Sequence, residues 1–153
     1  MKQEILKVDK DNYHMFDDMI FYREHERYKN AEEQENRDFA QQYAILDKGL
    51  LDTYAMKVHD KFVGYTSAVY IPKIGIAGNN GFYFVDDLWV NPSYRRMGIA
   101  EKLLQKVEDT AKEKGYYGLR LYVNTENDAG IALYEKCGYG DIYGTAMLMQ
   151  KVL

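Results

Sequence analysis

The stretch Val90-Asn91-Pro92-Ser93-Tyr94-Arg95-Arg96-Met97-Gly98-Ile99-Ala100 reads as a strand that enters a turn and then a helix. Two arginines stand in the turn, and small residues flank the first helical positions. The first amides of a helix lack intrahelical acceptors and carry partial positive charge, so such a start suits a pyrophosphate. Gly98 and Ala100 would let phosphates come close to the backbone. The plainer reading is an ordinary strand–helix turn with two solvated arginines, and a short glycine motif alone carries little weight. The segment is not a Walker loop, because no G-x-x-x-x-G-K-[ST] occurs. It is not a dinucleotide fingerprint either, because G-x-G-x-x-G is missing. What it has is R-x-x-G-x-A, spelled by Arg95, Gly98 and Ala100.

A second block follows, Val123-Asn124-Thr125-Glu126-Asn127-Asp128-Ala129-Gly130-Ile131-Ala132-Leu133-Tyr134-Glu135-Lys136-Cys137-Gly138-Tyr139. The two blocks together resemble the GNAT superfamily of acetyl-CoA-dependent N-acetyltransferases. The first is similar to its pyrophosphate motif, [QR]-x-x-G-x-[GA]. The second is similar to its N-x-x-A-x-x-L-Y-x-K-x-G-[FY] motif. The resemblance covers about residues 82–140 and implies acetyl-CoA as co-substrate. It implies that Arg95, Arg96, Met97, Gly98, Ile99 and Ala100 hold the pyrophosphate through backbone amides. It also implies that the strand Leu88-Trp89-Val90 offers backbone groups to the acetyl carbonyl and the pantetheine arm. In the family that strand splays from its neighbour and the cofactor fills the gap. Asn127 is expected to touch the cofactor arm, and Tyr134 to protonate the departing thiolate, a role open to a phenol. The base would be Asp86 or Asp87, since successive strand residues face opposite sides. Asp86 lies where some relatives carry a glutamate assigned as base. The Trp89 side chain is read as packing.

These groups need elements to position them. Residues 3–8 read as a strand. Residues 11–29 read as a helix with Phe16, Met19, Ile20 and Arg23 on one face, capped by Asp9 or Asp11. Residues 32–48 read as a second helix, ended by Gly49. The period then changes to that of strands at 52–59, 62–72 and 82–90, with an Asp60-Lys61 turn and a glycine-rich loop at 73–81. A helix from about Gly98 to Gly115 carries Leu103, Leu104, Val107 and Ala111 on its apolar stripe. A strand at 118–123, a short helix at 128–136 and one or two closing strands at 139–152 complete the chain. The order βααβββαβαβ(β) predicts an α/β fold: a GNAT-like mixed, mostly antiparallel central sheet flanked by helices, in a single domain spanning 1–153.

Composition narrows the function. The chain has 153 residues and a net charge of −4, with a pI near 5.4; a general nucleic-acid binder would need a basic surface. Cys137 is the single cysteine, so no internal disulfide or multi-cysteine metal site is available. It reads as a packing residue. His14, His25 and His59 lack metal spacing, and no metal is expected. The absence of a long apolar run predicts a cytoplasmic protein without a membrane partner. Residues 11–48 hold ten acidic and five basic residues. In the resembled family this region borders the acceptor, and an acidic wall there would favour a cationic small-molecule or peptide amine. Dimers are common in the family, which leaves a homodimer open. Two other readings stay in view: a non-catalytic acyl-CoA-binding or partner-docking module, and a transferase acting on aminoacyl-tRNA. The second would need Arg23, Arg27, Lys29 and Arg37 to form one basic face.

Overall fold

The computed structural model describes every residue except Tyr143 and Thr145. It divides into two compact units, Met1–Tyr122 and Val123–Leu153. The first unit holds a five-stranded sheet in the order β1 (Gln3–Lys7), β2 (Asp52–Val58), β3 (Lys61–Pro72), β4 (Gly81–Val90) and β5 (Gly118–Leu121). Neighbours run antiparallel except β4 and β5, which are parallel. The parallel pair is joined by a right-length crossover containing a short 3-10 turn (Pro92–Tyr94) and helix α4 (Ile99–Glu113).

The two faces of the sheet bury different helices. On one, Ile99, Leu103, Leu104 and Val107 of α4 are almost fully buried. Each such side chain contributes about 1.5–3 kcal/mol relative to exposure. Gly64 is needed beneath them, since a Cβ there would sit 3.0 Å from the Trp89 carbonyl and 3.3 Å from Ile99. The next residue, Tyr65, points to the opposite face, where Met19 of helix α1 (Tyr13–His25) packs with Val8, Ala55, Phe62 and Tyr65.

Several boundaries differ from the sequence reading. Asp9 does not cap α1. Its carboxylate accepts the amides of Asp11 and Asn12, which organises the turn before the helix. The helix expected over 32–48 is two helices, α2 (Ala31–Glu35) and α3 (Ala40–Lys48). The break falls on Asn36-Arg37-Asp38-Phe39. The Asp38 carboxylate accepts the Ala40 amide at 3.0 Å, a local bond that competes with helix continuation. The β2–β3 turn is His59-Asp60, one residue earlier than expected, with Val58 opposite Lys61.

In the second unit, helix α5 (Asp128–Lys136) forms as expected. Its end shows why Gly138 stands there. Gly138 has φ +92°, and the Tyr139 amide returns to the Tyr134 carbonyl at 3.0 Å. The closing strands expected at 139–152 do not form among the described residues. Met147, Leu148 and Met149 are 76–82% exposed, so this apolar run lacks the burial that sustains a strand.

Candidate active site

Strand β4 changes character halfway along. Phe82 to Val85 pair with Gly118 to Leu121 of β5, and there β5 stops. From Asp86 to Val90 the strand keeps only its β3 neighbour, with no strand on the other side among the described residues. Backbone bonds alternate in direction along a strand. The Asn91 amide points to β3, bonding Val63 at 2.8 Å. Leu88 and Val90 therefore aim their backbone groups at the uncovered edge.

The same stretch holds an irregularity. The β3–β4 register shifts between Ser67 and Ala68, which face Asp87 and Val85. Asp86 is the extra residue of a β-bulge and has no cross-strand partner. The simple alternation used to separate Asp86 from Asp87 therefore fails at this step. Asp86 is exposed. Asp87 is half-buried, and its Oδ2 accepts from Arg23 Nη1 at 2.9 Å and from the Tyr65 hydroxyl. Burial and the adjacent Asp87 carboxylate push the Tyr65 phenol far above its ordinary range. It thus stays protonated and keeps donating. Trp89 faces the same side as packing, against the Met19 cluster, as expected.

Past Val90 the chain makes the turn that the first motif encodes. Asn91 Oδ1 accepts the Ser93 amide at 2.9 Å. Arg95 bends back, and its Nε donates to the Val90 carbonyl at 3.2 Å. Arg96 and Gly98 take left-handed conformations, at φ +62° and +73°. No side chain caps the start of α4 at Gly98 among the described residues. A Cβ on Gly98 would meet nothing within 4 Å. Uncapped amides with open space beside them fit an anionic pyrophosphate, so the turn from Arg95 to Ala100 suits the acetyl-CoA that the motif implies.

In the second unit Asn127 is the N-cap of α5. Its Oδ1 accepts the Gly130 amide at 3.0 Å. A Cβ on Gly130 would lie 2.4 Å from Asn127 Nδ2, so a larger residue there would have to displace that side-chain amide. Tyr134 lies further along the same helix, its ring 5.9 Å from that of Tyr139.

The helical region is less bare of cations than its net charge suggests. Asp17 pairs with Lys29 and Arg37, Asp18 with Arg37, and Glu33 with Arg27. The Arg27 guanidinium and the Asn30 amide hold the Glu33 carboxyl down at about 2. Because Arg23, Arg27, Lys29 and Arg37 are each paired, they form no free basic face for an RNA. A cavity of about 240 Å³ opens between α1 and the β2–β3 turn, lined by Met15, Met19, Tyr28, Asp60 and Phe62 among others. No metal-like cluster occurs among the described residues. No helix of the described residues is long and apolar enough to cross a membrane.

The sequence reading missed Arg23 and Tyr65. Arg23 was placed on the apolar face of its helix, and that placement was the only available signal. Its partners lie 42 and 64 residues away along the chain.

Residues 13–139 match the acetyltransferase (GNAT) family. The chain belongs to that family. A thialysine N-epsilon-acetyltransferase of Caenorhabditis elegans is 35% identical over 74 residues, covering 41% of this chain and 46% of the relative. The Bos taurus enzyme of the same name is 37% identical over 59 residues, 39% of this chain and 35% of the relative. The chain thus spans less than half the length of these curated relatives. Among solved structures, an aminoglycoside acetyltransferase from an uncultured soil metagenomic sample, in complex with sisomicin, superposes with a TM-score of 0.79. It shares 14% identity, with 99% of this chain and 97% of that one covered. A Trypanosoma brucei acetyltransferase superposes at 0.74 with 18% identity, covering 99% and 100%. At these identities the likeness is one of fold.

Proposed function

We infer that the chain transfers the acetyl group of acetyl-CoA to a primary amine by direct attack in a ternary complex. The observation that carries this reading is the coupling of an uncovered β4 edge to an uncapped α4 start through one turn. Bound there, acetyl-CoA supplies a thioester carbonyl open to attack by an amine. Backbone amides from Gly98 onward would neutralise the pyrophosphate, and the Leu88 and Val90 groups would hold the arm and orient the carbonyl. Fixing both reactants in one geometry would supply much of the acceleration. The Tyr134 hydroxyl would deliver a proton to the departing sulfur, and Asp86 would take one from the amine, directly or through water. Relatives named for thialysine and neighbours named for aminoglycosides both support an amine acceptor. Burial of Asp86 away from the cleft would have favoured a non-catalytic module, and Asp86 is exposed.

The test combines acetyl-CoA titration by calorimetry with thiol release across an amine panel. Binding with release is expected. Replacing Tyr134→Phe should lower kcat by at least about 100-fold, the lower range for a general acid, with acetyl-CoA affinity kept. Full turnover by that variant would remove Tyr134 from the mechanism.

A further inference from the structure

Arg23 stands in the last turn of α1, and Asp87 stands on β4 one residue before Leu88. The two charges meet at a single point. Arg23 Nη1 donates to Asp87 Oδ2 at 2.9 Å and to the Tyr65 hydroxyl at 2.5 Å, which uses both of its hydrogens. Tyr65 donates in turn to the same Oδ2. Arginine and carboxylate frequently meet through a two-point fork. Here Tyr65 fills the second place, and Nε and Nη2 keep their N–H groups without a partner among the described residues.

Those two nitrogens form a planar edge whose spacing matches a carboxylate. The edge is held before any ligand arrives. The guanidinium carbon lies 5.8 Å from the Trp89 ring centroid and 5.9 Å from that of Tyr65. Stacking and hydrogen bonds together reduce the freedom lost on binding. The arginine side chain is 38% exposed, so the edge is reachable. Asp87 Oδ1 has no hydrogen-bond partner among the described residues either. Asp86, next to it, is exposed. A cationic edge from α1 and carboxylate oxygens from β4 therefore adjoin, beside the strand segment proposed to face the thioester.

We propose that this cluster is the acceptor head-group site and that it takes an amine which also carries a carboxylate, an amino acid or close analogue. The carboxylate binds Nε and Nη2 of Arg23, and the ammonium binds Asp87 Oδ1 and Asp86. This rests on acetyl transfer occurring at the β4 edge. A polycation has nothing to offer the Arg23 edge and brings a like charge towards it. The paired carboxylates of Asp17, Asp18 and Glu33 also leave less of an acidic wall for a polycation than the sequence alone suggested.

The test uses matched probes, lysine against lysinamide and methionine against methioninamide. Each is titrated into CoA-saturated protein by calorimetry and assayed for thiol release with acetyl-CoA. The wild type is expected to favour each acid over its amide by roughly 10- to 100-fold, the scale of a hydrogen-bonded charge. Arg23→Gln should bring that ratio close to one while acetyl-CoA affinity and the cooperative melt are kept. Arg23→Lys, which retains charge but not the planar edge, should keep only part of the preference. Equal or better binding of the amides by the wild type would overturn the proposal. So would an equal loss of acid and amide in Arg23→Gln, which is what a purely structural arginine would give. An acid preference in binding without thiol release from any probe would support the site while sinking the transferase reading.

Discussion

Gly98 and Gly115 bracket α4, and together they separate backbone strain from ligand binding. Both have left-handed backbones, φ +73° and +70°. Both have open surroundings, with nothing within 4 Å of an added Cβ. Alanine at either position therefore meets the same penalty, about 1–2 kcal/mol for a non-glycine residue in that conformation. For a chain of this size the melting temperature should fall by about 2–8 °C in each variant. Only Gly98 lies in the turn proposed to hold the pyrophosphate. A methyl group there would stand in the phosphate's approach and weaken charge-assisted bonds worth about 1.5–3 kcal/mol. Gly98→Ala should therefore bind acetyl-CoA at least about 10-fold more weakly by calorimetry. Gly115→Ala should bind as the wild type does. If the two variants melt alike and also bind alike, the open space beside Gly98 is not the phosphate site and the reasoning fails.

Three further outcomes follow from the same structure. Leu103→Ala should cost about 2–5 kcal/mol in urea unfolding, because Leu103 is fully buried under the sheet and its removal leaves a cavity; a loss below about 1 kcal/mol would mean the site collapses freely. The Arg27 guanidinium and the Asn30 amide hold the Glu33 carboxyl down at about 2, against an ordinary 4.5, so its contribution to the α2 capping box is present above 4.5 and fades as pH falls towards 2; amide protection factors in residues 31–35, corrected for intrinsic exchange, should fall across that window, and Glu33→Gln should remove that fall. Asp86→Asn should move or abolish the acidic limb of the pH–rate profile, and an unchanged profile would exclude Asp86 as the base.

Periodicity and glycine placement carried most of the fold. The α4 stripe of Leu103, Leu104, Val107 and Ala111 is buried as its spacing demands. Gly49 ends α3 with φ +62°. Local polar competition was harder to see. Asp38 interrupts a helix because its side chain offers the Ala40 amide another bond, and periodicity counts only apolar positions. The bulge was invisible for a different reason. A register shift belongs to two strands at once, and neither Ser67-Ala68 nor Val85-Asp86-Asp87 announces it alone. The first motif was legible because its parts are contiguous. The Arg23–Tyr65–Asp87 cluster was not, because three elements must pack before its residues meet.

Two departures from a regular sheet fall at one step of β4. Val85 is the last residue paired to β5, and Asp86 is the bulged residue that follows. A strand that loses a neighbour exposes a row of amides and carbonyls, and Leu88, Trp89 and Val90 are only half-exposed or less. Backbone groups in such a setting require partners. Arg95 supplies one, donating to the Val90 carbonyl from within the turn that leads to α4. That bond ties the strand edge to the helix start, so the groups proposed to hold the acyl arm and the pyrophosphate move as one unit. The bulge acts on the other side of the same strand. It resets the alternation so that Asp87 and Trp89 share the α1 face with Tyr65 and Arg23, while Leu88 and Val90 keep their backbone groups on the open edge. A regular strand would have placed Val85 and Asp87 on one face. The inserted residue instead gives the proposed acceptor side its charged cluster while Val85 stays buried.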